Sequence, residues 1–175
     1  MQTVRIYNMQ PGSVVVSGFG SVASAAKVEG VIDQISFDNN FKAFATRAVS
    51  MGIVILDTAG LYVPLAESPA TFYTALSTQT ATGASPVTAT LAATVRAVIA
   101  ANNTSAQTHT LTLPAANAVA AGTILYFYYD GASQATSIAR AGSDTIDGGT
   151  SSLAINTTTV VRRLKSDGVS AWTSV

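Results

Sequence analysis

Three Asp-Gly dipeptides, Asp130-Gly131, Asp147-Gly148 and Asp167-Gly168, stand between strand-sized segments in the last third of the chain. Both residue types tolerate a positive φ, so Asp-Gly between short β-patterns is among the stronger local signals for a hairpin. The segments around them read TSIAR, DTIDG, SLAIN, TTVVRRLK and SAWTSV. Just upstream, THTLTLP alternates and puts His109, Leu111 and Leu113 on one face. GTILYFYY places Ile124, Tyr126 and Tyr128 on one side and Leu125, Phe127 and Tyr129 on the other. A strand apolar on both faces belongs at the centre of a sandwich or at a subunit interface. Short strands at this spacing predict an antiparallel β-sandwich or barrel over residues 88–175.

The N-terminal part, residues 1–66, reads as a small β/α mixture, so the chain as a whole is expected to be mainly β. TVRIY (Thr3 to Tyr7) and SVVVS (Ser13 to Ser17) have strand patterns separated by the turn residues QPG. VIDQISF alternates, with Val31, Asp33, Ile35 and Phe37 on one face. The period then changes. Phe41, Phe44, Ala45, Ala48 and Val49 recur at helical spacing, after DNN as a cap and before Gly52 as a stop, predicting a helix over 40–51. GIVILD (Gly52 to Asp57) reads as a buried strand, and LYVPL (Leu61 to Leu65), with Pro64, as an edge strand or an exit. Residues 67–87 shift to Ala, Ser, Thr and Pro and read as a linker or a strap lying on a partner. Ser68-Pro69 marks a helix start within it, with Phe72, Tyr73 and Leu76 on one face.

Charge is the compositional anomaly. Only 10% of the 175 residues are charged, against about 25% in an average soluble domain. No charged side chain occurs between Glu67 and Arg96, nor between Arg96 and Asp130. With a formal net charge of zero, the chain has little electrostatic protection against self-association. Such a surface suits a protein packed against others. Nucleic acid is not an expected partner, because phosphate binding needs clustered cations. The nearest cluster, Arg162, Arg163 and Lys165, divides between opposite faces of a strand. There is no cysteine, which excludes disulfides and thiolate metal sites. MQTVRIYNMQPG lacks the pattern of a secretion signal, and no apolar run is long enough for a membrane helix. Assembly in a cytoplasm without a membrane anchor is the expectation.

The search for chemistry turns on AGSDTIDGGTSSL, where Asp144 and Asp147 stand three apart in a glycine-rich loop. Asp147 is accounted for by its turn, and Asp144 by a cap on the approach to it. A calcium loop needs more oxygen ligands at alternating positions than Thr, Ile and Gly supply. His109 is the lone histidine, set among threonines with no nucleophile motif nearby. GFGSVAS lacks the third glycine of a dinucleotide fingerprint. A glycosidase pair would have to come from Asp130, Asp144, Asp147 and Asp167, three of which are already turn residues. The reading is therefore non-enzymatic, with no catalytic residue, no metal and no cofactor. Four aromatics, Tyr126, Tyr128, Tyr129 and Trp172, are the candidates for a subunit interface or a ligand-stacking platform, with core packing an equal alternative on the same residues and the interface being preferred over the platform.

TLTLPAANAVAAGTILYFYY, AGSDTIDGG and LKSDGVSAW together resemble a β-domain of tailed-bacteriophage virion surface proteins, found in head-decoration proteins, head fibres, tail fibres and tailspikes. The matching features are Leu113-Pro114, Gly122-Thr123, Asp144 to Gly148 and Ser166 to Trp172, within residues 104–175. The resemblance implies a multimer, often a trimer, on the particle surface. A chain this short looks more like a capsid decoration or cement protein than a fibre. The N-terminal part would then dock on the major capsid protein and the C-terminal knob would face outward, on the outer surface of a head assembled in the host cytoplasm. The alternative is a small tail-fibre or receptor-binding protein whose tyrosines contact host glycans.

Overall fold

Period-two alternation becomes strand wherever the computed structural model describes the chain, which is over residues 2–16, 20–32, 52–57, 76–81, 86–102, 108–131 and 134–175. The described residues contain no α-helix. The helix expected over 40–51, the helix start at Ser68-Pro69 and the strand at Leu61–Leu65 lie outside them, as do residues 33–37 of VIDQISF. Two compact units divide the chain at Ala75 and Leu76.

The first unit holds β1 (Gln2–Asn8), β2 (Val14–Val16), β3 (Gly20–Val22), β4 (Lys27–Ile32) and β5 (Ile53–Asp57). β1 is central, with β4 and β5 antiparallel on either side, and β2 pairs with β3 as a separate hairpin. Val4, Ile6, Val16, Val22, Ile53 and Ile55 close the core. Asn8 is fully buried and is satisfied in a way its position requires. Its amide donates to the carbonyls of Gly12, Val22 and Ala23, and its Oδ1 accepts from the Gln10 N–H. That side chain ties the end of β1 to the loop and to the end of β3. The GSV of the incomplete dinucleotide fingerprint is β3 itself.

The second unit contains β6 (Leu76–Ala81), β7 (Val87–Thr90), β8 (Ala97–Asn102), β9 (His109–Thr112), β10 (Ile124–Tyr129), β11 (Thr136–Ala139), β12 (Thr145–Ile146), β13 (Leu153–Ile155), β14 (Val161–Ser166) and β15 (Ala171–Ser174). Six strands form one sheet in the order β12-β15-β14-β10-β8-β6, and four form another in the order β13-β11-β9-β7. From β6 to β11 the chain alternates between the two sheets. Each strand pairs in parallel with the one two places further along. Three coils thus stack on one another like turns of a solenoid. The last part closes the stack in antiparallel fashion, β13 on β11, β14 on β10 and β15 on β14.

This corrects the all-antiparallel expectation. Parallel neighbours need a crossover of a dozen residues or more, which here is a strand in the opposite sheet rather than a helix. The coils are unequal, with Leu76 beside Ala97 and Ala97 beside Tyr126, so the sequence shows no fixed repeat. Within the expected linker or strap over 67–87, β6 and the start of β7 are rungs of the sheets, and residues 67–75 and 82–85 lie outside the described residues.

One core fills the space between the sheets. The six-stranded sheet supplies Val98, Ala100, Leu125, Phe127, Tyr129, Leu164 and Trp172, and the four-stranded sheet Leu111, Ile138 and Ile155. β10 sits in the middle of its sheet and is buried along nearly its whole length. Its apolar character on both faces follows from that position.

Candidate functional site

Asp147-Gly148 makes a two-residue turn in which Ile146 and Gly149 exchange backbone hydrogen bonds at 2.9 Å. Both central residues have positive φ, 51° and 75°, the conformation of a type I′ turn, which Asp-Gly adopts at least cost. The Asp147 carboxylate reaches across to β15, accepting from the Ser174 N–H and hydroxyl, each at 2.7 Å. Those two donors hold its carboxyl below the ordinary carboxylate range, with Arg162 acting in the same direction.

Asp167-Gly168 joins β14 to β15 through a longer loop. Asp167 Oδ1 accepts from the N–H groups of Val169, Ser170 and Ala171, and these, Ala171 first, lower its pKa as well. Gly168 has φ +79°, and a Cβ there would lie 2.8 Å from the Ala121 backbone. In both turns the depressed pKa means a contribution to stability that is present above the unfolded carboxylate value near 3.9. It is lost only as pH falls through the lower folded values.

Asp130-Gly131 is not a hairpin. β10 and β11 belong to different sheets, so this dipeptide turns a corner, and the hairpin reading is corrected here. A Cβ on Gly131 would meet Tyr129 Oη at 2.5 Å and the Asn102 backbone nitrogen at 2.6 Å. The chain passes so close to the coil beneath that only glycine fits.

The Asp144–Asp147 pair separates into two roles. Asp144 is buried, and its Oδ2 accepts from the Ala116 N–H at 2.7 Å. The Ala116 carbonyl in turn accepts from Ser166 Oγ at 3.1 Å. One carboxylate therefore fastens the 3-10 turn Ala116–Ala118 to the C-terminal strands. Asp147 points the other way, to Ser174. Among the described residues no group of three His, Cys, Asp or Glu side chains could hold a metal ion.

The four aromatics divide between the faces of the six-stranded sheet. Trp172 is wholly buried in the core and donates from Nε1 to the Pro114 carbonyl at 3.3 Å. Tyr129 faces the same core, and its hydroxyl donates to the carbonyls of Gln134, at 2.5 Å, and Asn102, at 3.3 Å. Tyr126 and Tyr128 lie on the opposite face and are only 7% and 6% exposed. Burial, together with the nearby Asp130 carboxylate, pushes the Tyr128 hydroxyl up to about 12. These rings do not form one open platform. A shallow groove of about 590 Å³ lies beside the β14–β15 loop, lined in part by Lys165, Asp167 and Thr173 and not by Trp172. Its carboxylate is already engaged by three backbone N–H groups.

Among the described residues, His109 is a titratable group buried inside the stack with one ring nitrogen lacking a hydrogen-bond partner. It is 1% exposed, and its Nδ1 lies 2.9 Å from Thr136 Oγ1 on the neighbouring rung. Nε2 has no hydrogen-bond partner among the described residues. Sequence reasoning placed His109 on the right face but did not find Thr136, whose only signal is its place opposite His109 in the parallel register. Burial lowers the imidazole pKa, so between that value and the unfolded value near 6.5 the unfolded chain binds more protons. Stability is therefore fully present above about pH 6.5, declines as pH falls through that window and levels off below the folded pKa. Denaturant midpoints followed by Trp172 fluorescence are expected to fall between pH 7.5 and pH 5, and His109→Gln to flatten that slope. An equal slope in both proteins would show that the imidazole titrates alike in both states.

No transmembrane-length apolar helix occurs among the described residues. No family model, no curated protein and no solved structure matches this chain.

Proposed function

We propose that this chain is a non-enzymatic structural protein of a tailed-bacteriophage virion, a decoration or cement protein on the outer surface of the head. The observation that supports it best is how the chemically capable side chains of the C-terminal unit are used. Asp144, Asp147 and Asp167 each accept from backbone N–H groups, and His109 is enclosed in the core. What the unit offers outward instead is a sheet face without charge. Thr88, Thr110 and Ser137 line up across β7, β9 and β11, and Thr90 and Thr112 form a second row. Hydroxyl-bearing, uncharged β surface of this kind suits close packing on other proteins.

In this reading the N-terminal part docks on the major capsid protein and the C-terminal stack faces outward as the knob. The shell is reinforced because contacts spread over several coat subunits gain by multivalency what each lacks singly. The test is copy number in purified virions, by quantitative staining against the major capsid protein. A simple fraction of the coat protein supports the head assignment. A handful of copies overturns it and moves the protein to the tail, where glycan binding becomes the reading to examine.

A further inference from the structure

We propose that the Asp147 carboxylate guards the last edge of the six-stranded sheet, occupying the backbone donor on β15 through which a second copy of this chain would otherwise pair. The inference goes beyond the proposed function and does not depend on the virion assignment.

β15 turns its even-numbered residues to the side away from β14. The Ser170 carbonyl accepts from the Thr145 N–H and the Trp172 carbonyl from the Asp147 N–H, each at 2.9 Å. The next group in that row is the Ser174 N–H. The N–H of Val175, by contrast, points inward and donates to the Arg163 carbonyl on β14 at 3.1 Å. β12 does not reach Ser174, because it is two residues long and ends in the tight turn where Asp147 and Gly148 take positive φ. The side chain continues where the backbone stops. Asp147 Oδ1 accepts from the Ser174 N–H and Oδ2 from the Ser174 hydroxyl.

Turn chemistry alone does not ask for this carboxylate. Asn or Gly serves a type I′ turn at that position as well as Asp does, and neither carries a charge. Residues 147–150 are exposed, as are Thr173, Ser174 and Val175, so this stretch of edge faces solvent. An exposed edge with a free N–H is a template for another strand, and sheets counter it with short terminal strands and with charges at the edge. Both devices are present here. An incoming strand would have to displace the carboxylate from its two donors. In the symmetric pairing of two such edges, the two carboxylates would also face each other across the axis. In a solution of the pure protein, the strand available to this edge is the same edge of another copy.

The test is sedimentation equilibrium of the full chain and of Asp147→Gly, which keeps the positive φ of the turn and removes the carboxylate. Folding is checked by Trp172 fluorescence. Association of the variant beyond the wild type's own state is expected to be at least about tenfold stronger, since each copy gains a donor and loses a like charge. Adding Ser174→Pro to the glycine variant removes the outward N–H at an edge position where proline is tolerated, and is expected to abolish that gain. A folded glycine variant that sediments as the wild type does overturns the proposal, and so does a gain that survives Ser174→Pro. Hydrogen exchange on the wild type tests it without any variant. The Ser174 amide is expected to be protected although its residue is exposed, and exchange at the free-peptide rate overturns the assignment.

Discussion

Phe127→Ala is expected to destabilise the C-terminal unit by about 3–5 kcal/mol, the range for emptying a buried aromatic site. Phe127 has no exposed surface and lies at the centre of the core-facing row of β10, between Leu125 and Tyr129. β10 is held by β8 on one side and β14 on the other, so its backbone has little freedom to collapse into the space left behind. That confinement puts the loss towards the upper part of the range, because the cost grows with the cavity that remains. Domains of this size are stable by roughly 5–15 kcal/mol, so the variant would be close to unfolding at physiological temperature. The denaturant midpoint, read from the fluorescence of Trp172 in the same core, measures it. Thr90→Ala, exposed on β7, is the control and should stay within about 0.5 kcal/mol. A loss under about 1 kcal/mol for Phe127→Ala would mean that the two sheets do not enclose this face.

Asp144→Ala should cost about 1–3 kcal/mol, because it leaves the Ala116 N–H buried without an acceptor. The effect should spread beyond the loop. Ala116 is linked through its carbonyl to Ser166, whose Oγ accepts from the Gly168 N–H at 2.9 Å. Releasing the 3-10 turn therefore loosens the β14–β15 loop as well. Asp144→Asn keeps an acceptor of the same shape and should retain most of the stability. The same unfolding experiment distinguishes a structural carboxylate from a ligand. Calcium in millimolar amounts should leave the wild-type midpoint unchanged, and a rise on adding it that Asp144→Asn abolishes would make this loop a cation site.

Much of the strand content is legible from alternation. His109, Leu111 and Leu113 share a buried face, and β10 is apolar on both sides because it is enclosed on both. The Asp147-Gly148 turn is equally local, since two adjacent positive φ values are a property of the dipeptide. Asp130-Gly131 has the same letters and a different role. Nothing within a few residues of it distinguishes a hairpin from a corner, and the difference lies in Asn102, nearly thirty residues away, pressing on Gly131. Trp172 was open to reading as an interface aromatic because its neighbours on the same side of the strand, Ser170 and Ser174, are polar, and its burial depends on how the sheets close.

Alternation and turn chemistry act over a few residues, and they were enough to establish a mainly β chain and the core-facing side of several of its strands. Partner choice between strands belongs to the folded state. Backbone hydrogen bonds are the same for every residue, so an alternating strand pairs equally well in either direction until the core and the connections select one. Here unequal coils carry the chain from sheet to sheet and back, setting β6, β8 and β10 parallel. That long-range closure puts His109 beside Thr136 and seats Asp144 under Ala116.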